Sequence, residues 1–207
     1  MGINVKENGG GSYDPVPQGM HQAVCYAVYD LGTQFSEKFG KSMKKVLIMW
    51  EIPEERIDIQ RKDSGEIVNL PRAISKEYTA SLHQKSNLRK QLEAWRGRAF
   101  TAEELAGFDL VKLLGVNCML QVIHQTKGDK TYANVETVVP LMKGMTKKNP
   151  ENSTKWFSFE DQTEIPDGTP EWVVKKIEAA EEWNASSDPE PPPSDDSGFV
   201  PDDDIPF

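Results

Sequence analysis

Seven cations fall between positions 72 and 98: Arg72, Lys76, Lys85, Arg89, Lys90, Arg96 and Arg98. Only Glu77 and Glu93 oppose them, a local net of +5 (7 − 2). Charge of that density neutralises several phosphates and releases their counterions. Lys41, Lys44 and Lys45 form a second basic group beside Phe35 and Phe39. Cations interleaved with flat rings suit a nucleic-acid single strand, because the charges follow its backbone while the rings stack on its bases. Tyr132, with Lys130 beside it, joins Phe35 and Phe39 as a favoured stacking ring. Tyr78, between Lys76 and Ser81, fits a stacking or a buried role equally well. Trp50 shares strand parity with Val46, Ile48 and Ile52, which favours burial. Arg89 and Glu93 stand at i, i+4 and can simply pair on a helix face.

The last residues, Asp202, Asp203, Asp204, Ile205, Pro206 and Phe207, carry a different chemistry. A phenylalanine ring enters an apolar hole, its carboxylate meets an arginine, lysines take the aspartates, and Pro206 lowers the ordering entropy. Capture by a protein partner is therefore expected of this tip. The Pro/Ser-rich stretch before it gives the tip reach.

Other chemistry is poorly provided for. His21, Cys25, Cys118 and His124 could supply imidazoles and thiolates, but their spacings lack the short knuckle of a structural zinc site. Two buried free thiols are expected instead, with no metal and no cofactor. There is no phosphate-cradling glycine loop and no Ser/His/Asp arrangement, so the chain does not read as an enzyme.

The elements that must position these groups follow from periodicity. Residues 19–31, 43–52 and 73–82 read as strands, with Pro53 stopping the second and residues 32–41 a loop. A small hairpin is expected over 56–60 and 66–70. Leu88, Leu92 and Trp95 then fall on one helical face, with Ser86 as N-cap and Gly97 past the end. Thr101 and Glu104 form a capping box, with Phe100 and Leu105 as its staple. Residues 115–126 and 130–141 form a last hairpin, in which Thr131, Ala133, Val135, Thr137 and Val139 face inward and Lys130 and Tyr132 outward.

Five strands with a helix between the third and fourth is the layout of an OB-fold barrel, a mainly β architecture. The expected organisation is a flexible arm over 1–18 and the OB domain over 19–160. A connector and C-terminal helix, carrying Trp172, Val173, Ile177 and Ala180, follow over 161–183. Residues 184–207 hold seven acidic residues and six prolines with no basic residue, and read as a disordered acidic tail.

That tail changes the meaning of the overall charge. The 207 residues carry a net −9 and a pI near 4.9. Residues 160–207 contribute −13 (2 − 15), which leaves +4 (22 − 18) on residues 1–159. An acidic average thus hides a basic body. No apolar run approaches the length of a membrane span, so a cytoplasmic protein is expected.

The tip resembles that of bacterial single-stranded DNA-binding proteins (SSB). Between residues 19 and 140, Asp30-Leu-Gly-Thr-Gln, 46–52, Tyr78-Thr-Ala-Ser-Leu, Ser86-Asn-Leu-Arg and Trp95-Arg-Gly-Arg look like the SSB-like proteins of tailed phages and prophages. The tail lacks the long Gly/Gln-rich linker common in the bacterial proteins. The resemblance implies an OB-fold that coats single-stranded DNA in a bacterial cytosol. It also implies recruitment of replication, recombination and repair proteins through residues 202–207, and leaves room for a homo-oligomer. Two other roles fit the same residues: a decoy that occupies host partners through the tip, and a strand-annealing recombination factor.

Overall fold

The computed structural model describes residues 14–37, 39–60 and 64–187. Three strands come first: β1 (Gly19–Ser36), β2 (Lys41–Gln60) and β3 (Ile67–Thr79). Helices α1 (Asn87–Arg96) and α2 (Ala102–Ala106) and a 3-10 turn (Leu110–Leu113) separate these from β4 (Asn117–Lys127) and β5 (Lys130–Pro140). A short β6 (Lys155–Phe157) and helices α3 (Glu171–Glu178) and α4 (Glu181–Ser187) follow. The fold is mainly β, with strands in the order β3-β2-β1-β4-β5 and all neighbours on that path antiparallel. No helix among the described residues is long and apolar enough to cross a membrane.

β1 is the pivot. Its first residues, Gly19 to Val24, pair with β4, and from Val24 onward it pairs with β2. Register shifts between Cys25 and Ala27, and between Asp30 and Gly32, bend it between these roles. β6 then lies parallel to it, with Val28 opposite Trp156. At the other end of the sheet path, β3 and β5 are not joined by a ladder. Lys76 spans the interval instead: its Nζ donates to the carbonyls of Val135 at 2.6 Å and Glu136 at 3.3 Å. A lysine turned inward at an edge strand also discourages pairing with a foreign strand.

The inner face of the sheet holds the main core, which includes Trp50, Tyr78, Leu120, Val122, Val135 and Val138. α1 adds Leu88, Leu92 and Trp95, and the Trp50 and Trp95 rings lie 5.7 Å apart. Its ends are as expected: the Ser86 hydroxyl accepts from the Arg89 N–H, and Gly97 takes the left-handed conformation at φ 68. The capping box of Thr101 and Glu104 is present, while the ring that meets Phe100 edge-on is Phe108, at 5.1 Å.

Several expectations are corrected. Residues 32–36 and Lys41 are paired rather than looped, so β1 and β2 make a long ribbon with Phe35 opposite Ser42. Pro53 does not end β2, because it sits in a register shift between Ile52 and Arg56 where no ladder N–H is needed. The 56–60 and 66–70 hairpin is the outer half of the β2–β3 ribbon. In β5, a register shift opposite Gln121 and Val122 leaves Glu136 unpaired and reverses the parity beyond it. Val138 is therefore buried, and Thr137 and Val139 are only half-buried. Residues 14–18 do not behave as an arm: Val16 is buried in the core, and the His124 Nε2 donates to its carbonyl at 2.8 Å.

A second core lies on the other face of β1 and β2. Ala27, Tyr29, Leu31, Leu47 and Met49 pack against Phe157, Val173 and Ile177. The expected boundary at residue 160 thus runs through packed structure, since Phe159, Ile165 and Trp183 join the same cluster. An eight-residue helix such as α3 is not stable alone in water, so this burial is what holds it. Each buried Val or Ile contributes about 1.5–3 kcal/mol. Gly32 (φ +64) permits the close approach of α4: an added Cβ would lie 2.6 Å from the Ala180 Cβ and 2.7 Å from the Glu182 Oε2. That Glu182 carboxylate accepts from the Thr33 N–H at 2.6 Å and the Thr33 hydroxyl at 2.7 Å.

Candidate nucleic-acid interface

Two clefts flank β3. The first, of about 590 Å³, lies among the β1–β2 ribbon, the end of β3 and the start of α1. Phe39, Lys41, Lys45, Lys76 and Lys85 line it, with Met43, His83 and Asn87 between them. Phe39 is 61% exposed and Phe35, on the same hairpin, 65%. Lys41 and Lys85 have no carboxylate within ion-pair distance among the described residues. Lys45 lies 3.8 Å from Glu77 and donates to the Thr79 hydroxyl at 3.3 Å, which fixes its amine on the β3 side.

The second cleft, of about 540 Å³, lies between the β2–β3 ribbon and the β4–β5 hairpin. Ile57, Ile59 and Leu70 form its apolar wall, and Arg72 and Tyr132 its polar one. Tyr132 is 50% exposed and Lys130 is exposed beside it at the hairpin end. Arg72 is oriented by a hydrogen bond to the Asp14 carbonyl, and its charge has no carboxylate partner among the described residues. β3 links the clefts: Arg72 to Thr79 covers about 23 Å at 3.3 Å per residue.

Not every basic residue belongs here. Lys44 is committed elsewhere, 3.1 Å from Asp30 and 3.9 Å from Glu160. Burial alone would lower its amine, but the hydrogen bond and charge of Asp30, with Glu160 and Glu182, hold it above the ordinary lysine value. Arg89 pairs with Glu93 at 2.9 Å. Arg96 and Arg98 share Glu104, and Arg96 is also packed against the faces of Phe100 and Phe108. The Arg98 hydrogen bond, the Thr101 N–H and Arg96 hold the Glu104 carboxyl down at about 2. Arg96 and Arg98 thus brace the end of α1 against α2 through Glu104, while the Arg89 pair lies within α1.

Tyr78 is corrected as a stacking ring. It is 3% exposed, its phenol is pushed upward by burial, and Lys76 lies 5.5 Å from its ring centroid. No face is open to a base. Burial lowers the Lys76 amine, which is already spent on the β5 carbonyls, so it borders the cleft rather than reaching into it. Trp50 is fully buried, as its parity implies.

The sequence passes over two polar anchors that shape this surface. The buried Glu51 carboxylate accepts from the N–H groups of Glu151 at 2.7 Å and Asn152 at 2.9 Å, and from the Asn152 side chain at 2.7 Å. Asn117 pins Lys148 through both its backbone N–H and its carbonyl, each at 2.8 Å. Together they hold the segment after β5 against the sheet. An acidic residue inside the apolar run 46–52 is the only sequence sign of the first.

The remaining candidates have ordinary partners. The His21 Nε2 donates to the Pro17 carbonyl at 2.8 Å, with Nδ1 3.3 Å from Glu55. Cys25 and Cys118 are buried free thiols, both raised by burial. Asp202, Asp203, Asp204, Ile205, Pro206 and Phe207 lie outside the described residues.

Comparison with protein-family models, with curated proteins and with solved structures finds no match for the chain.

Proposed function

We propose that the chain is an OB-fold protein that binds single-stranded DNA along the two clefts flanking β3. On the same reading, residues 202–207 engage genome-maintenance proteins. The strand order β3-β2-β1-β4-β5, with α1 between β3 and β4, supports an OB layout in which Lys76 bridges the open seam. Oligonucleotides bind such folds at the face of strands 2 and 3 and at the β1–β2 and β4–β5 loops. Here α3 and α4 cover the outer face of β1 and β2, so the strand is directed to β3 and the hairpin ends. The observation that carries the reading is the pairing, on both hairpins, of exposed rings with lysines that have no carboxylate partner among the described residues. Phe35, Phe39 and Lys41 stand on one, and Lys130 and Tyr132 on the other.

Rings stack only on bases that are free of a complementary strand, whereas cations accept any phosphate backbone. Fluorescence anisotropy of labelled oligo(dT), beside duplex DNA of equal length, tests this at several salt concentrations. The expected result is preference for oligo(dT), with log affinity falling by about 0.7 per neutralised phosphate against log salt. Equal binding to both, or no binding to oligo(dT), overturns it.

A further inference from the structure

One cleft departs from the basic character of the body. It holds about 490 Å³ between β6 and the 3-10 turn, within the roughly 300–1,000 Å³ of pockets that bury a ligand. Its floor and walls are apolar, from Val28, Val46, Ala80, Leu110, Val111 and Trp156. Asp30, Asp109, Glu160 and Asp161 stand at the rim, and Lys44 is the one cation of the lining among the described residues, a net of −3 (1 − 4). Lys44 and Lys45 are neighbours on β2 and point to opposite faces. Lys45 lines the cleft beside Phe39, so this one opens on the other side of the ribbon.

The rim already seats one ammonium group, the Lys44 Nζ, 3.1 Å from Asp30 and 3.9 Å from Glu160. Asp109 and Asp161 are exposed, and neither has an ion-pair partner among the described residues. Asp109 spends one oxygen on capping the 3-10 turn, 2.8 Å from the Val111 nitrogen whose N–H it accepts. We infer that this cleft docks a basic segment of a partner protein, one in which lysines or arginines alternate with apolar residues. In an extended segment the apolar residues fill the floor, while the long cationic stems lie along the walls and bring their charges to the rim.

Other ligands fit the cleft less well. The rim carboxylates repel the phosphates of a nucleic acid. No group of three or more His, Cys, Asp or Glu among the described residues is placed to hold a metal ion. A small polyamine answers the rim charges but leaves the apolar floor in water. The inference rests neither on the single-strand reading nor on residues 202–207, and its test contains no nucleic acid.

The probe is a peptide of sequence Arg-Leu-Lys-Leu-Arg, blocked at both ends and titrated into the full chain while amide chemical shifts are followed. The expected result is saturable change at Asp109, Leu110, Val111, Trp156 and Asp161. Asp109→Asn/Asp161→Asn weakens that binding at least about 5-fold, roughly 1 kcal/mol. Asparagine still caps the 3-10 turn, so the variant keeps the fold and its melting temperature. A peptide with glycine in place of both leucines binds at least about 5-fold more weakly as well, because nothing then fills the floor. Spermidine at the same concentration leaves these amides unmoved. Changes confined to residues 184–207, equal binding by the asparagine variant, equal binding of the glycine peptide, or spermidine binding as tight as the peptide's each overturn the docking site.

Discussion

Two basic regions that look alike in the sequence are used differently. At the α1–α2 corner, Arg89, Arg96 and Arg98 all face glutamates, and Arg96 is packed against two phenylalanine rings. In the clefts flanking β3, Lys41, Lys85 and Arg72 have no carboxylate partner among the described residues. Net charge is similar in kind; availability is not. A cation held by a carboxylate must break that pair before it can meet a phosphate, whereas an unpaired one only exchanges water and counterions.

The largest expected effect falls on the open region. Phe35→Ala with Phe39→Ala lowers oligo(dT) affinity by about 2–3 kcal/mol, roughly 30- to 150-fold, by anisotropy. The melting temperature stays put, because both rings are already exposed. If affinity holds instead, the hairpin end is not a stacking site.

Next comes the corner. Arg96→Ala removes a packed guanidinium and destabilises the fold by about 2 kcal/mol, a fall of about 4–8 °C in calorimetry. Oligo(dT) affinity changes less than about 2-fold. A loss of affinity without a loss of stability would reverse the division between the two regions.

A smaller effect sharpens the electrostatic side. Lys41→Gln with Lys85→Gln weakens binding by about 1 kcal/mol at low salt and flattens the log–log salt slope by about 1.4. Arg98→Gln, matched in charge change per residue, leaves that slope alone. The smallest effect is in acid. Glu104 is held down at about 2 from an ordinary 4.5, so its contribution to stability is full above pH 4.5 and lost as pH falls through about 2. Glu104→Gln flattens the stability-versus-pH curve across that window, followed by circular dichroism.

The sequence disclosed elements more readily than it disclosed partners. Ser86, Gly97 and the Thr101–Glu104 box place the helices because caps act within one turn. Strand order is legible because the helix falls between the third and fourth main strands. The shift that leaves Glu136 unpaired is not, since a bulge depends on the partner strand and reverses parity without marking its own residues. Phe35, Phe39 and Tyr132 are exposed as polar surroundings imply, while Tyr78 is buried by pairing opposite Val46. The commitments of Arg96 and Arg98 to Glu104 bridge eight and six residues, and that of Lys76 to Val135 fifty-nine. Spacing alone carries no trace of such pairs.

Mapping oligo(dT) onto the amides of the full chain tests the division most directly. Single-strand binding along β3 predicts shifts at residues 39–45, 72–79, 83–87 and 130–133, with the α1–α2 corner unmoved. Shifts centred on Arg89, Arg96 and Arg98, with the β3 clefts unchanged, would contradict it.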